Sequence, residues 1–145
     1  MLFELCSAFA LLALCVAGHA GGLIFLLRWL LPAKERGFSG GWQASWLLIR
    51  TAWALSALHI GSILVWAAFY WWQDCLADFE TAVYFSGVSY ATIGYGDVVL
   101  PRHWWFLAPM EGLTGILMCG LSTGFFFVVV SKVFAAKQVV AEAAP

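Results

Sequence analysis

The sequence predicts an all-α membrane protein: three transmembrane helices, with a short re-entrant helix and an irregular loop between the second and third. Three observations predict it. The 145 residues are 63% hydrophobic and only 10% charged, whereas an average soluble domain carries about 25% charged residues. So few charges do not cover a water-exposed surface. Three apolar stretches exceed the roughly 20 helical residues that cross a hydrocarbon core about 30 Å thick. The connection between the last two holds an apolar segment too short to span, followed by TIGYGD at 92–97, in which Gly94 and Gly96 alternate with larger residues.

The first stretch runs from about Leu5 to Leu31. Its apolar centre and small residues near Ala20 have the outline of a secretory leader. It lacks a basic start, however, its early charge is Glu4, and its hydrophobicity continues past Ala20. A retained helix is therefore expected. The second stretch runs from about Trp46 to Trp72 and the third from about Trp104 to Phe134. The chain divides into a helix and loop over 1–45, a helix–loop–helix unit over 46–134, and a short tail over 135–145.

Lysine and arginine set the expected orientation. Arg28, Lys34, Arg36 and Arg50 surround the first connection, and Lys132 and Lys137 lie at the end of the third helix and in the tail. The second connection carries Asp74, Asp78, Glu80 and Asp97 against Arg102. The 32–45 loop and the C-terminus are expected in the cytoplasm, and the N-terminus and residues 73–103 outside. Trp71–Trp72 and Trp104–Trp105 bracket that outer segment, where amphipathic rings favour the interface.

Between the second and third helices, Phe79, Ala82, Val83, Phe85 and Val88 recur at helical spacing. Asp78 stands as an N-cap with Glu80 in the first turn. The resulting helix over 79–91 has about three turns, too few to span. Non-helical backbone at membrane depth is tolerated only where it is buried in protein or lines water, and TIGYGD follows directly. A dehydrated cation needs a shell of oxygens, which backbone carbonyls supply without net charge. Consecutive carbonyls point one way only if alternate residues leave the usual conformations, and glycine does so at little steric cost. Thr92, Ile93 and Tyr95 are then expected to turn their side chains away into packing, with the Thr92 hydroxyl at the inner end. One strand cannot surround an ion, so several copies are required.

Other features exclude other functions. A net charge of −1 gives no sign of a nucleic-acid partner, and no catalytic constellation or small-molecule site is visible. Cys6, Cys15 and Cys119 lie in apolar runs and read as buried thiols, while Cys75 lies in a polar connection. His19 and His59, on different spanning helices, have two readings: axial ligands of a haem iron, or histidines that bond to neighbouring groups. Glu111 lies inside the third helix, two positions after Pro109. A carboxylate there should point into the protein. It is either protonated and bonded to the re-entrant helix or to a carbonyl freed by Pro109, or ionised in a wet pocket.

TIGYGD resembles the selectivity filter of potassium channels, the class in which rings of backbone carbonyls take the place of an ion's hydration shell. The surrounding order also resembles the small bacterial two-transmembrane members, here with an extra N-terminal helix. The likeness covers about residues 46–134. It implies an outer helix (46–72), a pore helix (79–91), a filter (92–97) and an inner helix (104–134). It further implies a homotetramer in the inner (plasma) membrane and potassium as the permeant ion at the carbonyls of Thr92, Ile93, Gly94, Tyr95 and Gly96, with no cofactor. Asp97 then sits at the outer mouth. Tyr84 stands where relatives usually place a tryptophan that holds this aspartate, Val88 where some carry a glutamate, and Ala91 where a second threonine is frequent. Gly115 and Gly120 are candidate gating hinges, and Gly120 with Gly124 also forms a GxxxG packing step. A non-selective cation channel and a non-conducting accessory subunit share the architecture.

Overall fold

A computed structural model of the chain describes residues 2–30 and 41–142. The loop residues Lys34 and Arg36 and the side chain of Lys137 lie outside the described residues. The elements are α1 (Leu2–Leu30), α2 (Gly41–Trp72), α3 (Phe79–Tyr90), a single 3-10 turn (Arg102–Trp104) and α4 (Leu107–Glu142). No strand occurs among the described residues. Three segments are long and apolar enough to cross a membrane: Leu2–Trp29, Trp42–Trp72 and Arg102–Ala135. At 1.5 Å per residue even the shortest reaches roughly 42 Å, long enough to span with tilt.

Two helix ends differ from the expected boundaries. The third spanning helix starts at Leu107, after a 3-10 turn and two turn residues, and not at Trp104. Pro101 precedes the turn, and Pro109 falls in the first turn of α4, where a missing N–H costs nothing because those donors have no intrahelical partner. At its other end α4 passes Phe134 and continues to Glu142. The residues beyond Phe134 are Ala, Lys, Gln, Val and Glu, mostly strong helix formers, with no glycine or proline until Pro145.

Three hydroxyls inside the long helices bond back to their own helix. Thr51 Oγ1 donates to the Leu47 carbonyl at 2.8 Å, Ser62 Oγ to Leu58 at 3.3 Å and Thr114 Oγ1 to Met110 at 2.8 Å. All three residues are buried, and these one-turn-back bonds pair hydroxyls that an apolar interior would otherwise leave without a partner.

The core sits towards one end of the bundle. Ala8, Leu11 and Cys15 of α1 meet Trp66, Ala67 and Tyr70 of α2, Ala82 and Phe85 of α3, and Leu107 of α4. Tyr70 makes an edge-to-face contact with Phe85 at 5.3 Å, and Phe69 one with Trp104 at 5.7 Å. Cys75, expected in a polar connection, is buried in this core. Burial, with Asp74 beside it, pushes its thiol up to about 11. Cys6 and Cys119 are exposed on their helices, and of the three thiols read as buried only Cys15 is so within the chain. Arg50 lies at the opposite end, its Cζ 4.0 Å from the Trp29 ring centre.

Candidate functional site

Asp78 caps α3. Its Oδ1 accepts the Thr81 backbone N–H at 2.8 Å, and Thr81 Oγ1 donates to its Oδ2 at 3.0 Å. Those bonds hold the Asp78 carboxyl below its ordinary value. The other end of α3 closes in a Schellman motif. The Thr92 N–H bonds the Ser89 carbonyl at 2.9 Å and the Ile93 N–H bonds Val88 at 2.9 Å. The left-handed position of that motif is usually glycine, but here it is Thr92, at φ 59°. An L-residue accepts this region only at a cost.

From Thr92 the backbone alternates. Thr92, Gly94 and Gly96 have φ of 59°, 59° and 79°, and neither Ile93 nor Tyr95 has a positive φ. The reversal expected at the two glycines is present, and it begins one step earlier, at a residue whose side chain gave no signal of it. The Gly94 N–H also reaches the Val88 carbonyl at 3.4 Å, so Val88 supports the segment through its main chain. The packing expected for Ile93 and Tyr95 is not supplied by this chain: they are 53% and 69% exposed. An apolar cleft of about 410 Å³ lies between the start of the segment and α4, lined by Ser89, Thr92, Gly94, Pro109, Gly112 and Ile116. A second of about 180 Å³ lies between the segment and α3, with Tyr84, Val88, Gly96 and Asp97 in its wall.

Tyr84 and Asp97 are brought together. The Tyr84 hydroxyl donates to Asp97 Oδ2 at 2.6 Å, a charge-assisted length. That bond holds the Asp97 carboxyl below its usual value and pushes the Tyr84 hydroxyl up. The Asp97 bond ties the end of the segment back to the helix that begins it.

Glu111 is fully buried behind α3. Tyr70 of α2 donates to its Oε2 at 2.8 Å, and Ser86 of α3 bonds to its Oε1. The carbonyl four residues before Pro109 belongs to Trp105, ahead of α4, so no helical carbonyl is freed for Glu111. Its contact is with α3, through Ser86, a residue that nothing in the sequence singles out.

The two candidate hinges differ. A Cβ on Gly115 would overlap the Tyr90 carbonyl at the end of α3, whereas one on Gly120 or Gly124 meets nothing within 4 Å in this chain. Gly115 is where α4 presses against α3. His19 and His59 meet, with ring centres 5.0 Å apart. His19 Nε2 is 2.8 Å from Ser122 Oγ, and His59 Nδ1 is 3.0 Å from Tyr90 Oη. Those bonds tie α1 to α4 and α2 to α3. With so short a separation the rings pack on each other, and no porphyrin plane fits between them.

A short apolar helix set among three spanning helices, ending in an exposed loop of alternating backbone, defines a membrane protein of the ion-conducting class. The chain matches the ion channel family over residues 58–132, just over half its length, and it belongs to that family. The match takes in the second half of α2, α3, the 92–97 segment and most of α4, and leaves α1 outside. Neither curated proteins nor solved structures gave a match.

Proposed function

We propose that the chain forms a homotetrameric, potassium-selective channel, with Thr92, Ile93, Gly94, Tyr95 and Gly96 as its filter. The observation that supports this best is the alternation of positive φ at Thr92, Gly94 and Gly96. Reversing every second residue is what turns successive carbonyls toward one line, and a ring of such carbonyls replaces the hydration shell of a potassium ion. Exposure of Ile93 and Tyr95, flanked by two clefts, supports neighbouring copies that complete their packing. The C-terminal end of α3 adds negative potential below the filter. Gly120, unobstructed in its own chain, is the better bending point of α4. The acidic second connection and basic first connection support an outer filter, an outside N-terminus and a cytoplasmic C-terminus in a plasma (inner) membrane.

Potassium flux into liposomes holding the purified chain tests this reading. Flux with a reversal potential that follows the potassium gradient in mixed potassium and sodium is expected. Equal permeation of the two ions would make it a non-selective channel, and no flux would make it an accessory subunit. Gly94→Ala places a Cβ at φ 59° and should abolish selective flux while the chain still inserts.

A further inference from the structure

We propose that Glu111 is a neutral carboxylic acid that donates its proton to Ser86 and thereby positions the pore helix. The role in conduction rests on the reading of 92–96 as the filter; the protonation state does not.

The inference starts from a count of hydrogens. Ser86 Oγ lies 2.9 Å from the Ile63 carbonyl and also in hydrogen-bond contact with Glu111 Oε1. A serine hydroxyl has one proton, and a backbone carbonyl only accepts. If the Ser86 proton goes to Ile63, Oε1 must carry its own and donate to Ser86 Oγ. The remaining oxygen, Oε2, accepts from Tyr70. One proton on Glu111 satisfies every atom of the chain from Tyr70 through Glu111 and Ser86 to Ile63.

The surroundings agree. Glu111 and Ser86 are both 0% exposed. The groups bonded to Glu111 are Tyr70 from α2 and Ser86 from α3, and Cys15 from α1 and Tyr90 from α3 lie within its electrostatic reach. All are uncharged hydroxyls or thiols, and no cation accompanies the carboxyl among the described residues. A buried carboxylate without a cation neutralises rather than bear its desolvation cost. The result is a brace joining three helices. Ser86 lies two residues before Val88, whose carbonyl holds the Ile93 and Gly94 N–H groups. A displacement of α3 at Ser86 is therefore a displacement of the filter's own support.

Infrared spectroscopy of the full chain in lipid vesicles, with glutamate carboxyls isotopically labelled, reads the proton directly. At neutral pH a protonated-carboxyl band is expected that Glu111→Gln removes; a carboxylate band removed in its place would overturn the proposal. Ser86→Ala should shift that band upward in frequency, since the acceptor is lost, and an unmoved band would overturn the donation to Ser86. Glu111→Gln retains a donor and an acceptor, so it should keep the thermal stability of the assembly that Glu111→Leu loses. Equal stability of Gln and Leu variants would overturn the positioning role. A chain that shows the band yet conducts no potassium would defeat the filter reading and leave this assignment standing.

Discussion

At the level of single residues, the bond between Tyr84 and Asp97 is the contact that anchors the C-terminal end of the 92–97 segment. Relatives that this chain resembles use an indole donor there, and a phenol reaches the same carboxylate at 2.6 Å. The bond depresses the Asp97 value. A depressed carboxylate contributes stability above its unfolded value, about 3.9, and loses it as pH falls through the lower folded value. Tyr84 is pushed the other way, so its contribution is present below about 10 and is lost as pH rises through the higher folded value. The brace thus holds across the neutral range and fails at both extremes. Carbon-13 NMR titration of the Asp97 carboxyl should give a value below the ordinary one in the native chain and an ordinary one in Tyr84→Phe. Identical titration in both would show that the hydroxyl does not hold the carboxylate. Tyr84 was legible through the family resemblance, which places an aromatic donor at that count back from Thr92. The strain at Thr92 itself was not, because threonine gives no local sign of a left-handed conformation.

At the level of elements, the crossing of α3 and α4 turns on Gly115. Helix propensity alone would favour alanine at both Gly115 and Gly120 by about 1 kcal/mol. The structure separates them. A Gly115 Cβ runs into the backbone carbonyl of Tyr90, which cannot swing aside like a flexible side chain, while Gly120 has open space. Gly115→Ala should destabilise the protein by about 1–3 kcal/mol, the usual range for overpacking, and Gly120→Ala should not. Thermal melting of the two variants in detergent checks this, and equal melting temperatures would mean that the helices separate at no cost. The extra helix α1 is also an integrated element: His19 bonds Ser122 of α4 and packs on His59 of α2. Nothing in the apolar run of α1 announced that attachment, since a histidine in a spanning helix has many ways to find a partner.

At the level of the whole molecule, one chain leaves open surfaces that the proposed tetramer would cover. Ile93 and Tyr95, which should pack, are 53% and 69% exposed, and clefts open on both sides of the segment that carries them. In the proposed channel, four copies around an axis fill those clefts and close rings of carbonyls. Mass measurement in mild detergent should therefore find four chains, and a dimer as the sole stable species would contradict a design with one filter strand per chain.

What the sequence determined by itself was the membrane class, the order of spanning and re-entrant helices, the Asp78 cap, and the segment whose glycines reverse. Each depends on hydropathy, spacing or local conformational preference, which are properties of neighbouring residues. Only the tertiary structure decided which polar groups pair across helices: Glu111 with Tyr70 and Ser86, His19 with Ser122, His59 with Tyr90. It also decided that Gly115 is a packing glycine and that Cys75 is buried. Such pairings depend on how helices rotate and approach one another, and in apolar helices without a strongly polar face the hydrophobic pattern leaves that rotation open. The pairing of buried polar groups and the close contact of small residues then select it.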